Sequence, residues 1–484
     1  MTGIPSSSQT LHLFRGGQFW VITGGQFSVD TSIRQGTAIA LFIKTKAKNN
    51  KKDGEILHSE IWGLRKEKYD WLINNDIATT KWQKIAPKSE FHLFVPRDEK
   101  LLELYEKSPK ITDVFPINSV GIVTARDKFV IDTDKKALER RIRMFCDEKI
   151  PDELISEPFK LKDKATWALN SSREKLRNDK DCENSFERIL YRPFDVKWIF
   201  YHGVLVERPR RNVMRHMLQK NLGLILPKRV ETKIPWSHIL CANVLVEHVT
   251  VSLKTIDYFF PLYLYPDPDQ NDLFSHLKES KERKPNISEK IFSALSETYK
   301  TKPKPEDIFY YIYAVFYSNT YREKYAEFLK TDFPRAPFTK DNRLFKELAE
   351  YGKRLADLHL MQSPELDSPI VKFQGTGDKR VDKIKHDKTD ERVYINKDQY
   401  FEGLEGNIWQ YQIGGYQVCN KWLKDRKGRI LSLDDVKHYC KITTAIKKTI
   451  GIQESIDEIY KEGEKELIVL KKCSYEFESG HITV

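Results

Sequence analysis

Residues 406–439 combine a regular alternation of apolar and polar side chains with turn and helix signals. Residues 408–413 alternate as the buried and exposed positions of a half-buried strand do, so they predict a strand. The dipeptide Gly414-Gly415 predicts a turn that needs positive φ. Ser432, with Asp435 three residues later, predicts the start of a helix. The apolar residues that follow share one face of that helix (Val436, Tyr439, Ile442 and Ile446).

The same patterns predict helices and strands along the rest of the chain. Short apolar runs predict strands at three places (residues 19–22, 38–44 and 129–131). Helical spacing predicts two helices with polar faces (residues 64–72 and 134–145). Pro193 would break a helix, and the apolar run that follows it predicts a strand. From Pro305 onward, apolar residues on every side of the pattern predict a buried helix. A mixed α/β protein is expected.

Composition narrows the class of protein. The chain has 484 residues, and that length suits roughly two to four domains. There are 82 Lys and Arg residues against 70 Asp and Glu residues, so the net charge is +12. A positive net charge favours an anionic partner only where the charge clusters. The six cysteines form no CxxC pair and no zinc-like spacing with His, which indicates reduced thiols. No apolar run reaches transmembrane length, so a cytoplasmic protein without a membrane partner is expected.

Positive charge clusters in residues 208–233, called here the basic stretch. Eight cations accompany one acid, Glu231, in this stretch, and Lys220 is the only one of them not predicted to contact DNA. The seven predicted contacts are Arg208, Arg210, Arg211, Arg215, Lys228, Arg229 and Lys233. Clustering matters because DNA binding depends on the counterions that local contacts release. We expect contact with the phosphate backbone rather than with base edges. The alternative is a solvated basic helix with a cation-rich turn.

A second candidate surface lies in residues 412–429. Amide side chains can read base edges, arginine can pair with guanine, and cations can meet phosphates. DNA contact is predicted for nine residues here (Gln412, Tyr416, Gln417, Asn420, Lys421, Lys424, Arg426, Lys427 and Arg429). Gly414-Gly415 would let the backbone approach the duplex. The alternative is a solvated hairpin tip whose side chains only cap the turn.

A third candidate is the loop of residues 124–127. It presents Thr124 and Arg126 beside Asp127, and both Thr124 and Arg126 are predicted to contact DNA. A neighbouring carboxylate can fix the fork of an arginine that reads a base. The alternative, which is the commoner use of such a pair, is a structural ion pair.

Signals for catalysis are weak. Residues 371–378 superficially fit the Phe-x-Gly-x-Gly loop that binds S-adenosylmethionine, but no helix is expected after the glycines, so a hairpin turn is predicted. Asp195 with Lys197 suggests a nuclease grouping but lacks the spaced acid that metal-dependent cleavage needs. The sequence has no Pro-Pro dipeptide and no Gly-x-x-x-x-Gly-Lys-Ser/Thr phosphate loop. No catalytic, cofactor or metal site is predicted.

Seven motifs, in their order and spacing, resemble the C-terminal part of the type ISP restriction–modification enzymes. They are Gly36-Thr37-Ala38-Ile39, Leu64-Arg65-Lys66-Glu67-Lys68, Tyr191-Arg192-Pro193-Phe194-Asp195, Arg208-Pro209-Arg210, Tyr321-Arg322-Glu323-Lys324-Tyr325, Asp332-Phe333-Pro334-Arg335, and Gly414-Gly415-Tyr416-Gln417 through Asp434-Asp435. Those enzymes are single polypeptides that join a nuclease, a helicase motor, an adenine-N6 methyltransferase and a target-recognition region. The resemblance covers nearly the whole chain.

The resemblance implies an edge remnant of a Rossmann-like methyltransferase sheet, followed by a multi-lobed α+β DNA target-recognition region with a helical spacer. The implied parts are the end of the methyltransferase domain (1–110), a first DNA-recognition subdomain (111–270), the spacer (271–365) and a C-terminal specificity subdomain (366–484). Adenine-methylating members carry an Asn-Pro-Pro-Tyr tetrapeptide and a Gly-rich cofactor loop, which this sequence lacks. S-adenosylmethionine is therefore expected on a missing or separate methyltransferase part.

Sequence-specific recognition of double-stranded DNA is the function that the resemblance implies. The chain would be the specificity part of a site-specific adenine-N6 DNA methyltransferase or restriction–modification system in phage defence. A separate methyltransferase or helicase polypeptide could be its partner, or the gene could be a broken relic. The rival is a non-catalytic protein-interaction or structural subunit of a defence complex, whose basic face is only solvated. DNA binding that weakens steeply with salt would favour the first hypothesis.

Overall fold

The computed structural model describes residues 19–24, 38–43, 55–85, 98–180, 182–231, 234–266 and 282–469. The chain divides into two compact units, Met1–Asp98 and Glu99–Val484, and each is described by itself. All three candidate DNA-binding surfaces belong to the second unit.

The described part of the first unit contains two antiparallel strand pairs and a helix. Strand β1 (Phe19–Gly24) pairs with β2 (Ala38–Ile43), and β3 (Ile56–His58) pairs with β4 (Gln83–Ile85). Helix α1 (Arg65–Asn74) lies between β3 and β4 in sequence. The predicted strands and helix are confirmed. A Rossmann-like sheet stays a prediction, because the described strands form only two-stranded pairs.

The second unit begins with short helices and strands that build two sheets. Its elements up to residue 264 are α2 (Glu99–Glu106), α3 (Ile111–Val114), β5 (Ser119–Val120), α4 (Asp127–Val130), β6 (Ile131–Asp132), α5 (Lys135–Cys146), α6 (Asp152–Phe159), α7 (Leu169–Arg177), β7 (Phe186–Arg192), β8 (Asp195–Phe200), α8 (Arg211–Met214), β9 (Gly223–Pro227), β10 (Leu240–Ala242), β11 (Leu245–Val246), β12 (Asp257–Pro261) and β13 (Tyr263–Leu264).

Two four-stranded sheets are joined by residues 121–122. Sheet A has the order β10-β9-β12-β5, and sheet B has the order β11-β7-β8-β6. Every residue of β9 is buried, which explains why this strand is apolar without alternation. The Gly121 N–H donates to Asp257 O at the start of sheet A, and the Ile122 N–H donates to Val246 O in sheet B. Residues 121–122 therefore connect the two sheets.

After residue 264 the described chain is mainly helical up to residue 359, and strands follow between residues 372 and 402. They are β14 (Lys284–Pro285), α9 (Glu289–Tyr299), α10 (Pro305–Tyr317), α11 (Asn319–Lys324), α12 (Ala326–Leu329), α13 (Asn342–His359), β15 (Lys372–Gln374), β16 (Lys385–Asp387), β17 (Arg392–Tyr394), β18 (Tyr400–Glu402), α14 (Gly406–Gln410), β19 (Gln412–Ile413), β20 (Tyr416–Gln417), α15 (Val418–Lys424) and α16 (Leu433–Gly463). Strands β15 to β18 form sheet C in the order β15-β18-β17-β16.

Helices α10, α13 and α16 pack together as the helical core of the second unit. Gly352 of α13 lies so close to α10 that a Cβ there would be 1.8 Å from the Tyr310 carbonyl oxygen. The Tyr313 hydroxyl, the His359 ring and the Thr449 hydroxyl form a buried hydrogen-bonded chain across the three helices, at 2.6 and 2.9 Å. Burial, helped by the charge of Arg322, lowers the pKa of His359 to about 3, so the ring is neutral in this chain of bonds.

Several predictions of local structure are confirmed. Helix α10 is buried on nearly all sides, and β8 follows Pro193. Helix α5 begins after Asp134, whose carboxylate accepts the Lys136 N–H at 2.9 Å. Helix α16 begins after Ser432, whose hydroxyl accepts the Asp435 N–H at 3.0 Å while the Asp435 carboxylate accepts the Ser432 N–H. The mixed α/β class is confirmed as well.

Two predicted strands are wrong in part. Residues 408–410 belong to helix α14, and only Gln412–Ile413 of the predicted run is a strand. Six alternating residues also fit one helical turn that buries a single side chain, here Ile408. Phe129 and Val130 belong to helix α4, because both of their N–H groups donate to Arg126 O after the chain turns at Ala125, where φ is +57°.

The turn lies in residues 375–378, directly after β15, and no helix comes before α14, but the predicted hairpin is wrong. Gly375 and Gly377 have φ of +92° and +151° after β15, which accounts for both glycines. The strand that pairs with β15 is the later β18 rather than the next strand, so the turn does not close a simple hairpin. In the part of the chain that the structure describes, no helix has the length and apolar character to cross a membrane.

Candidate nucleic-acid interface

The loop of residues 124–127 is held inside the protein. The Thr124 hydroxyl bonds to the Asp127 carboxylate, which also accepts the Tyr191 hydroxyl at 2.8 Å. Arg126 lies 4.0 Å above the Trp167 ring and donates to Leu205 O at 3.0 Å and to Glu207 at 3.3 Å. The expected pair of Arg126 with Asp127 is therefore replaced by pairs with other partners. Because Thr124 and Arg126 are 1% and 8% exposed, neither presents a free side chain to a groove.

The basic stretch presents several exposed cations. Arg208, Arg211, Lys228 and Arg229 are exposed, as is Lys220. The backbone of Arg208 is fixed by two bonds to Val123, with N–O distances of 2.9 and 3.2 Å, while its side chain points to solvent. Fixed backbone and free side chain are the combination expected of a residue that positions a phosphate.

The other three cations of the basic stretch differ from these five. Arg215 donates to Tyr265 O at 3.2 Å and to Pro266 O at 3.1 Å. Arg210 is half-buried with φ of +55°. Lys233 lies outside the described residues. Arg215 therefore helps to hold the chain after β13, and the exposed residues are better placed to meet DNA.

The Gly414-Gly415 turn approaches another loop of the protein. The Gly414 N–H donates to Ser237 O at 2.9 Å, and the Gly415 N–H donates to Val251 O at 2.8 Å. Gly414 has φ of +57°, and a Cβ on it would lie 2.0 Å from Val251 O. The Tyr416 hydroxyl donates to Val249 O at 3.1 Å. The glycines permit a close backbone approach to residues 247–251, called here the docking loop, and their approach to a DNA duplex stays a prediction.

The polar side chains after this turn mostly bond to one another. The Gln417 amide donates to Trp409 O at 2.7 Å and accepts from Asn420 at 3.1 Å. Lys421 pairs with Asp425 and lies 5.4 Å from the Tyr416 ring centre. These side chains cap the turn, which is the alternative that the sequence left open. Base contact by Gln417 or Asn420 would first have to break these bonds.

Arg426 is buried in an ion pair that joins distant parts of the chain. Its guanidinium lies 3.4 Å above the Trp422 ring and donates to Asp195 at 2.8 Å, with Asp435 at 3.6 Å. Asp195 also meets Lys197 at 3.3 Å. Burial alone would raise the pKa of Asp195, but the charges of Lys197 and Arg426 outweigh it and the pKa is lowered. Arg426 is 5% exposed, so the geometry gives it a stabilising role.

The exposed members of this surface are Gln412, Lys424, Lys427 and Arg429. Arg429 bonds to the Thr133 hydroxyl at 3.2 Å and is otherwise open to solvent. Its loop lies against residues 379–381, because the Gly428 N–H donates to Val381 O and the Val381 N–H to Arg429 O. Four residues that can meet phosphates or base edges thus remain available here.

A buried charged cluster supports the docking loop. Arg192 pairs with Glu247 at 2.7 Å, and Glu247 bonds to the His248 ring at 2.6 Å. The Asp257 carboxylate accepts the Val251 N–H at 2.7 Å. Burial raises the pKa of Asp257 well above its ordinary value, and the bond to Glu247 raises that of His248. The sequence analysis missed this cluster, although a lone acid inside an apolar run, as at Glu247, was a usable signal.

Metal chemistry has no visible site in the described ranges. No group of three or more His, Cys, Asp or Glu residues is placed there to hold a metal ion. Asp195 and Lys197, which suggested part of a nuclease grouping, instead share an ion-pair network with Arg426.

The family model for the Type ISP C-terminal specificity domain matches residues 113–455. The chain belongs to this family. The Type ISP specificity domain thus extends from α3 to α16, and it contains all three candidate surfaces. None of the curated proteins matches the chain.

Solved structures with the same fold are longer proteins bound to DNA. A nuclease-deletion mutant of the Type ISP restriction-modification enzyme LlaGI with a DNA substrate mimic has a TM-score of 0.60 and 20% identity, over 88% of this chain and 34% of its own. A DrdV–DNA complex has a TM-score of 0.64 and 21% identity, over 87% of this chain and 44% of its own. The ATP-dependent Type ISP restriction-modification enzyme LlaBIII bound to DNA has a TM-score of 0.59 and 20% identity, over 78% of this chain and 26% of its own. The chain thus spans less than half the length of each.

Proposed function

We propose that this chain recognises a specific sequence in double-stranded DNA, as the specificity part of an adenine-N6 DNA methyltransferase or restriction–modification system. Membership of the Type ISP specificity-domain family carries the proposal. The solved relatives of the same fold are DNA complexes, and they support the same partner for this chain.

Exposed cations on fixed backbone support phosphate contact. Arg208 and Arg211 are exposed on either side of Pro209-Arg210, and Arg208 is anchored to Val123. Arginine forks match phosphate oxygens, and each neutralised phosphate releases counterions. Arg208 and Arg211 would thus supply affinity that does not depend on sequence.

The methyltransferase part of the proposal concerns groups that this sequence lacks. S-adenosylmethionine and the adenine pocket would lie on a separate or missing part. Residues 1–110 would correspond to the end of that methyltransferase domain, with the β1–β2 and β3–β4 pairs as its outer strands. On this view the chain supplies recognition, and the separate or missing methyltransferase part supplies the modification of adenine.

A salt titration of DNA binding tests the proposal. The observed affinity of the wild-type chain should fall steeply with salt, with a slope of about −0.9 per phosphate neutralised. Arg208→Ala and Arg211→Ala should each weaken binding to all sequences alike and flatten the slope by about one contact. Arg343→Ala is the matched control, because it removes an exposed arginine surrounded by three acids, namely Asp341 just before α13, Glu347 of α13 and Glu462 of α16. A flat response of the wild-type chain would favour the protein-interaction alternative.

A further inference from the structure

Residues 252–256 form a short loop, called here the apolar tip, between the docking loop and β12. Two of its five residues are buried and three are exposed. Ser252 and Thr255 are buried, whereas Leu253 and Ile256 are 64% and 57% exposed, and Lys254 between them is exposed as well. Two large aliphatic side chains and one ammonium group therefore face solvent from five consecutive residues.

The backbone of the apolar tip is fixed at both ends. The Lys254 N–H donates to the Ser252 hydroxyl at 3.2 Å, which tightens the turn itself. Before the tip, the Val251 N–H donates to the buried Asp257 carboxylate at 2.7 Å. After it, the Asp257 N–H donates to His248 O at 2.8 Å. The exposed side chains thus stand on a rigid support, as a recognition element requires.

The Gly414-Gly415 turn lies directly beside the apolar tip. A Cβ on Gly415 would lie 2.7 Å from the Ser252 hydroxyl, and Gly415 itself is exposed. Gln412 is exposed in the neighbouring strand β19. The two loops together therefore present an amide, an ammonium group and two aliphatic side chains, with no carboxylate exposed on the tip.

We propose that the apolar tip reads DNA sequence, with Leu253 and Ile256 packing against thymine methyl groups in the major groove. The methyl group is the one apolar feature of that groove, so exposed aliphatic side chains match it. Lys254 suits the phosphates that flank such a contact, and it would repel a cationic partner. This inference rests on the proposed function, and it assigns specificity to residues outside the three surfaces that the sequence suggested.

The first experiment changes bases of the DNA and leaves the protein unchanged. After the preferred site of the wild-type chain is selected from random duplexes, each thymine is replaced in turn by deoxyuridine, which removes only the methyl group. At one or two positions the affinity should fall about four-fold, the amount expected when one buried methyl group is lost. Equal affinity for thymine and deoxyuridine at every position would overturn the inference.

The second experiment identifies the side chains. Leu253→Ala and Ile256→Ala should lose the preference for thymine over deoxyuridine at their own positions and keep the salt slope of non-specific binding. Leu154→Ala is the matched control, because Leu154 of α6 is 62% exposed. Melting temperatures should stay unchanged for all three, since each side chain is exposed. A methyl preference that survives in both tip variants would contradict the assignment.

Different results would overturn the proposed function and the inference on the apolar tip. A wild-type chain that binds every duplex alike would overturn the proposed function together with this inference. A wild-type chain that selects a site, with Leu253→Ala and Ile256→Ala variants that select the same site with the same strength, would overturn the inference alone. A kink at a base step without any methyl dependence would also overturn it, since the side chains would then act as wedges.

Discussion

Replacing Arg426 by methionine removes one charge of a buried ion pair and keeps most of the side-chain volume. In the wild-type chain the guanidinium bonds to Asp195 at 2.8 Å and covers the Trp422 ring at 3.4 Å. Asp195 is 3% exposed, so it cannot recover the lost partner from water, and Lys197 at 3.3 Å remains as an ion-pair partner. Removing one partner of a buried pair typically costs about 3–5 kcal/mol.

The pH dependence of this loss has a definite sign. The pKa of Asp195 is lowered in the folded chain, so the pair stabilises the fold above the unfolded pKa of about 3.9. That contribution disappears as pH falls through the folded pKa. The difference in unfolding free energy between wild type and Arg426→Met should therefore be largest near neutral pH and shrink below about pH 4.

Urea unfolding followed by tryptophan fluorescence measures this difference. Arg429→Met is the matched control, because Arg429 is exposed on the same loop and should cost no more than about 0.5 kcal/mol. Arg426→Met should keep the DNA preference of the wild-type chain if Arg426 only stabilises the fold, whereas Arg429→Met serves as a control for stability alone. Unchanged stability of Arg426→Met together with a changed preferred site would refute this reasoning and make Arg426 a base-reading residue.

Three further predictions concern the docking loop, the glycine turn and the cofactor. Burial raises the pKa of Asp257, so the contribution of Asp257 to wild-type stability should fall as pH rises above the unfolded value of about 3.9. Asp257→Asn should remove that contribution and be more stable than wild type at pH 8 in urea unfolding, and a stability difference that does not change with pH would contradict this. Gly414→Ala should cost about 1–3 kcal/mol more than Gly428→Ala, because both have positive φ but only Gly414 faces a backbone oxygen at 2.0 Å; equal losses would show that no clash occurs. Calorimetry of the isolated chain with S-adenosylmethionine should show no binding, and a stoichiometric micromolar site would overturn the expectation that the cofactor lies elsewhere.

Local signals predicted the local structure well. The Ser432 and Asp435 pair marks the start of α16, Asp134 marks the start of α5, and the apolar run after Pro193 forms β8. Each of these signals acts between residues a few positions apart, so it is visible in the sequence. The run at residues 408–413 failed because six residues of alternation are too few to separate a strand from one helical turn.

The candidate site was less predictable because its decisive contacts join distant residues. Arg126 pairs with Glu207, 81 positions away, and Arg426 pairs with Asp195, 231 positions away. Sequence reasoning recognises an arginine that could read a base, but it cannot see a distant carboxylate that buries it. The exposed cations Arg208 and Arg211 needed only local clustering to be noticed, and they stay available in the fold.

The proposed function requires that this chain binds DNA and prefers one sequence over others. Selection from a random duplex library by the purified wild-type chain, repeated at low and at near-physiological salt, tests it most directly. If the chain recognises a specific sequence, one sequence should be enriched at both salt concentrations, while the affinity for unselected DNA falls steeply between them. A DNA pool that stays random at both salt concentrations, with an amount of bound DNA that does not change with salt, would contradict the proposed function.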